Sequence, residues 1–141
     1  MSEQQGNTRE VETFLAEWGP ADDPMKSCFQ ELYNFAADLA ETSLTFIGRP
    51  GVSYSLRPKH ARQSERNLFA IIDVIDDDPA ERWLSVCFYG DMISDPDQRG
   101  EVIPGGLSGD DGYCFDMYSP DREMVDYLKL RLQEAWLKAS A

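Results

Sequence analysis

The sequence predicts an α+β fold: an antiparallel sheet of four to five strands, with two N-terminal helices and one long C-terminal helix packed on one face. Three observations lead there. Apolar residues recur at spacings of three and four near both ends of the chain. In the middle the period drops to two. The strand-like runs also succeed one another through short polar turns, as hairpins do, rather than through helical crossovers.

The 141 residues are of single-domain size, and we read residues 1–141 as one domain that needs no metal or disulfide to hold its core. Hydrophobic content is 42%, with 11% aromatics including Trp18, Trp83 and Trp136, which places the chain among folded rather than disordered sequences. The opening MSEQQGN, residues 1–7, reads as a frayed polar end.

A first helix follows from Val11, Phe14, Leu15 and Trp18, with Thr8 as its N-cap and Gly19-Pro20 as its stop. Asp23 caps a second helix over residues 24–41, with Pro24 in the first position and a stripe through Met25, Cys28, Phe29, Leu32, Phe35, Ala36 and Leu39. SLTFIG and VSYSLR then form a hairpin about Arg49-Pro50-Gly51, because proline followed by glycine suits a type II turn. Val52, Tyr54 and Leu56 face inward there, and Ser53, Ser55 and Arg57 face the other way.

KHARQSER connects to NLFAIIDVI, a central strand, and DDDPAE turns it into its antiparallel partner RWLSVCFYG. Both strands are apolar on both faces, which predicts cover on both sides. Residues 91–112 lose any pattern and read as a long lid or spacer loop, with a brief extended stretch at Val102-Ile103. GYCFDMYS is the last strand. The final helix opens at Ser119-Pro120 and buries Val125, Leu128, Leu132, Ala135, Trp136 and Ala139.

VSYSLRPKH, NLFAIIDV as central strand, WLSVCFYG and the closing amphipathic helix together resemble the small MmcQ/YjbR-like α+β domains over residues 44–140. An aromatic-containing strand and a lysine before the central strand are familiar in that family, and Tyr54, Lys59 and Phe69 would be their counterparts here. WLSVCFYGDMISDP is further similar to stretches of uncharacterised bacterial proteins. The resemblance implies the fold alone; a DNA-binding role has been suggested for such domains.

A net charge of −13 opposes general binding to nucleic acid or to anionic membranes. Cys28, Cys87 and Cys114 lack metal-ligand spacing and lie in apolar patterns, so they read as three buried free thiols in a reduced, cytoplasmic protein. No signal-like or membrane-spanning run is visible.

The charge is unevenly spread. Residues 42–66 carry Arg49, Arg57, Lys59, Arg62 and Arg66 against Glu65 alone. Three readings stay open. The cations pair with the protein's own carboxylates, DDDPAE foremost, or Arg57, Lys59 and Arg62 converge with backbone donors on a phosphate or carboxylate, or the same residues with Tyr54 form a nucleic-acid face, which the acidity of the rest of the chain opposes. The second reading makes Arg49, Tyr54, Arg57, Lys59, His60 and Arg62 the ligand-binding residues.

His60 has the right chemistry for a general base, though a lone histidine in a basic loop is ordinarily just solvated. Asp76 to Asp78, the Asp110-Asp111 pair and the set Asp91, Asp95 and Asp97 are oxygen-rich, but none has calcium-loop spacing, and turn chemistry explains them. PGGLSGDDG has no phosphate-loop pattern and precedes a strand, not a helix. No cofactor or metal is implied.

The reading is therefore a non-enzymatic binding module for a partner protein or small anionic ligand. One alternative is a metal-assisted hydrolase or transferase on a phosphate-bearing substrate, with Asp110 or Asp111 as metal ligand or base. Another is a homodimer formed through aromatic strands such as WLSVCFYG.

Overall fold

The computed structural model describes residues 3–141. Helix α1 (Glu3–Glu17) and helix α2 (Pro24–Asp38) precede strands β1 (Thr42–Arg49), β2 (Ser53–His60), β3 (Ile71–Ile75) and β4 (Trp83–Tyr89). A 3-10 turn at Gly90–Met92, strands β5 (Glu101–Leu107) and β6 (Asp110–Met117), and helix α3 (Arg122–Ala139) complete the chain. The six strands form one antiparallel sheet in the order β1-β2-β3-β4-β6-β5. The fold is α+β with six strands rather than four to five.

Part of the expected frayed end, residues 1 and 2, lies outside the described residues, whereas residues 3–7 are helical. Thr8 is consequently inside α1 and is not its cap. The polar first turns carry no apolar stripe for periodicity to register, but they are tied down: Asn7 accepts a hydrogen bond from the Phe46 backbone N–H at 3.0 Å. Asp23 caps α2 as its sequence position implies, accepting from Met25 N–H at 3.0 Å, and its other oxygen accepts from the Trp18 indole at 3.0 Å. α2 ends three residues short of Glu41 because Leu39 turns extended to lead into β1.

The β1–β2 hairpin closes on a type II turn. Val52 N–H donates to the Arg49 carbonyl at 2.9 Å, and Gly51 takes the φ of 83° that this turn demands. Val52 lies in the turn and is 59% exposed, so it does not face inward; β2 begins one residue later and continues through Lys59 and His60. The Asp76 carboxylate pins the turn by accepting from Gly51 N–H at 2.8 Å and from the Arg82 guanidinium at 2.7 Å. Burial opposes ionisation of Asp76, and these two donors outweigh it, holding its pKa below the ordinary carboxylate value.

Register assigns every strand residue to a face. Leu44, Phe46, Leu56, Ile72, Val74, Leu84, Val86, Phe88, Phe115 and Met117 share one face and are all buried. All three helices pack there: Phe14 of α1 stacks on Tyr54 and touches Phe29 of α2, and Tyr127 of α3 meets Phe115. Each fully buried aliphatic side chain in this layer contributes about 1.5–3 kcal/mol.

Cover on the second face is not observed among the described residues. Ile47, Ile71, Ile75, Trp83 and Cys87 on that face remain half-buried, and no helix lies over them.

The expected loop over residues 91–112 is largely ordered structure. β5 and β6 form a hairpin, with Leu107 opposite Asp110 and both Ser108 and Gly109 at positive φ, 53° and 92°. That is the conformation a two-residue type I′ turn requires. The remaining segment is anchored by Asp95, which accepts from Tyr127 Oη, from Tyr113 Oη at 2.8 Å, from Gly100 N–H at 2.9 Å and from Arg99 N–H at 3.0 Å.

Candidate functional site: a basic strip on an open sheet face

Alternation along β1 and β2 divides the six candidate ligand-binding residues. Arg49, Arg57 and Lys59 project from the open face, whereas Tyr54 and His60 project under the helices. Tyr54 is held between Phe14 (4.2 Å between ring centres) and Phe46, with the Arg82 guanidinium over its ring. His60 is 1% exposed. Its Nδ1 accepts from Arg62 N–H at 3.0 Å, its Nε2 faces Glu41 at 3.7 Å, and its ring lies against Trp136. A histidine so enclosed anchors the end of β2; neither it nor Tyr54 shares a surface with the strand cations. Arg62 is in the following turn, 67% exposed and 3.8 Å from Glu41.

The predicted cradle of six thus reduces to three residues. Among the described residues Arg49, Arg57 and Lys59 form no ion pair; Arg57 instead donates to the Ser55 hydroxyl at 3.0 Å. The DDDPAE carboxylates do not neutralise them, since Asp76 is committed to Arg82 and Gly51 and Asp78 caps its own turn through Ala80 N–H.

The carboxylate nearest in the sheet is one the sequence reading passed over. Asp73 stands beside Ser55 on the neighbouring strand, with one oxygen buried and without a hydrogen-bond partner. Burial raises its pKa, against the opposing pull of the Ser55 hydroxyl, Arg57 and Arg49. Its position inside NLFAIIDVI was the available signal: a lone acid within an apolar strand must face something.

The other cations of the basic stretch lie around a cleft of about 710 Å³ lined by Arg62, Arg66, Asp91, Asp110 and Lys138, among others. Arg66 dominates it. Its guanidinium donates to Asp91 at 2.8 and 3.1 Å and to Asp110 at 3.2 Å, and lies 3.8 Å from the centre of the Tyr89 ring. Arg66 depresses the pKa of Asp91 mainly through that hydrogen bond. The cation that closes this cleft is already matched by acids of the same molecule. Asp111, the other proposed catalytic acid, accepts from Gly105 N–H at 3.0 Å. No group of three or more His, Cys, Asp or Glu placed to hold a metal ion occurs among the described residues.

The three-thiol expectation is corrected as well. Cys87 and Cys114 are direct partners across β4 and β6, with Cα atoms 4.1 Å apart, and are joined as a disulfide on the open face; only Cys28 is free and buried. The pairing follows from strand register, which spacing in sequence does not reveal. Burial raises the pKa of the Cys28 thiol, an environment for packing rather than nucleophilic attack. No helix among the described residues is long and apolar enough to cross a membrane.

No protein-family model, curated protein or solved structure matches this chain.

Proposed function

We propose that the protein is a non-enzymatic binding module that recognises an acidic protein surface through Arg49, Arg57 and Lys59. The observation that carries this reading is the placement of these three cations on one uncovered sheet face, free of ion pairs among the described residues. Asp73 draws on Arg57 and Arg49, but three cations against one carboxylate leave the strip net positive toward a partner. An open sheet face suits a protein surface better than a small anion, which needs concavity and convergent donors. The MmcQ/YjbR-like resemblance is kept as a reading of the fold; a nucleic-acid role for the same strip is opposed by the net charge of −13.

The test is binding of poly-L-glutamate at low ionic strength and at a protein concentration where the chain is monomeric by sedimentation, with inorganic phosphate as the small-anion comparison. Wild type binds the polymer, the Arg57→Glu/Lys59→Glu variant binds it at least about tenfold more weakly, and added salt weakens both. Circular dichroism checks that the variant is folded. Equal binding by wild type and variant refutes the reading.

A further inference from the structure

The open face is charged in two halves. The β1–β2 side carries Arg49, Arg57 and Lys59, and the β6–β5 side carries Asp116 and Glu101, the first exposed beside Ser85 and the second at the sheet edge. Between them Ile71, Ile75, Trp83 and the Cys87–Cys114 bridge, each partly buried, surround Asp73 and Ser85 at the centre of the face. We infer that the occupant of this face is a second copy of the chain, packed sheet against sheet about a two-fold axis parallel to the strands. The inference rests on the reading above and names the acidic surface that the basic strip meets.

The strand order makes the match. Rotation about an axis along the strands and midway across the sheet sets β1 over β5, β2 over β6 and β3 over β4 of the other copy. Such an axis preserves level along the strands. Ser55, Asp73, Ser85 and Asp116 occupy one level, so Arg57 and Cys114, each two residues away in the same direction, occupy the next. Glu101 pairs with Cys114 and shares that level. Arg57 of each copy is thereby set opposite the strand pair that presents Glu101 and Asp116, and the contact is made twice. A two-fold across the strands would instead stack like charges over like.

Ile71, Ile75, Trp83 and the disulfide supply the apolar part of an aligned sheet packing, about 10 Å between sheets, and the same axis sets Asp73 of each copy over Ser85 of the other. Six strands of about seven residues offer roughly 500–600 Å² in projection, which side-chain relief raises toward the ~800 Å² per partner of a stable interface.

The test uses charge reversal in both directions. Arg57→Glu/Lys59→Glu makes both halves acidic, and Glu101→Lys/Asp116→Lys makes both basic. By sedimentation velocity the wild type is a dimer. Each variant alone raises the dimer dissociation constant at least about tenfold. An equimolar mixture of the two variants recovers the dimer, because the all-acidic face then meets the all-basic one. The recovery also shows that neither variant had merely lost its fold.

A wild type that stays monomeric, or a dimer indifferent to both reversals, overturns the inference. A monomer that still binds poly-L-glutamate through Arg57 and Lys59 leaves the binding-module reading standing. Loss of polymer binding together with a monomeric wild type removes both.

Discussion

Replacing Asp95 by asparagine should cost the protein stability in a way that depends on pH. Burial works against ionisation of Asp95. Hydrogen bonds from Tyr127, Gly100, Arg99 and Tyr113 outweigh it and bring its pKa from the ordinary 3.8 to about 2. The gap is a little under two pH units, and at about 1.4 kcal/mol per unit it amounts to roughly 2.4 kcal/mol. Asp95 is partly exposed, so solvent screening reduces this to about 1–2 kcal/mol.

Because the folded-state pKa is depressed, the stabilisation is fully present above the unfolded pKa near 4 and is lost as pH falls through 2. Urea unfolding of wild type and Asp95→Asn between pH 7 and about pH 2.5 measures it. The expected deficit of the variant at pH 7 is about 1–2 kcal/mol, or ~3–7 °C in melting temperature, narrowing steadily below about pH 4. A deficit that stays constant with pH would show that the loss does not come from ionisation of the carboxylate, and that reasoning from its charge is mistaken.

Asp73→Asn should act with the opposite sign. Burial raises the Asp73 pKa, so its ionised form is a liability at pH 7, and the variant should be the more stable protein there. That gain fades as pH falls through the raised folded-state pKa toward the ordinary one, and thermal melts at pH 7 and about pH 4 check it. Gly100→Ala should destabilise by about 2 kcal/mol, since an added Cβ would come within 2.7 Å of the Tyr113 ring and 2.8 Å of the Phe115 ring; chemical denaturation reads the loss directly.

The helices and the first hairpin were legible because their signals are local. Asp23-Pro24 starts α2 and Pro50-Gly51 makes the turn, whereas α3 begins at Arg122 rather than at Ser119-Pro120, because Asp121 stays extended and caps it by accepting from Met124 N–H at 3.1 Å. β5 was not, because its sequence EVIPGGL mixes a proline with two glycines, and the strand exists through pairing with β6 rather than through its own propensity. The Ser108-Gly109 dipeptide was the readable clue, a two-residue hairpin turn lodged inside what looked like a loop.

For the site, the alternation rule applied to VSYSLR already separates Tyr54 from Arg57, and carried two residues further on each side it separates His60 from Lys59. Grouping residues by charge and proximity in sequence ignored that rule. Asp91 and Asp110 as partners of Arg66, and Cys114 as partner of Cys87, depend on register across distant strands, which no local pattern encodes.

The two borders of the sheet decide how it can grow. On one, Asn7 occupies a backbone donor of β1; on the other, Pro104 lacks a donor and the irregularity between Ile103 and Leu107 breaks the straight row of amides that an incoming strand would need. Lateral addition, the route by which sheets polymerise into fibres, is therefore discouraged at both ends. A closed face-to-face pair of the kind proposed above would not depend on either border, so growth of the sheet and pairing of its faces are separate questions in this fold.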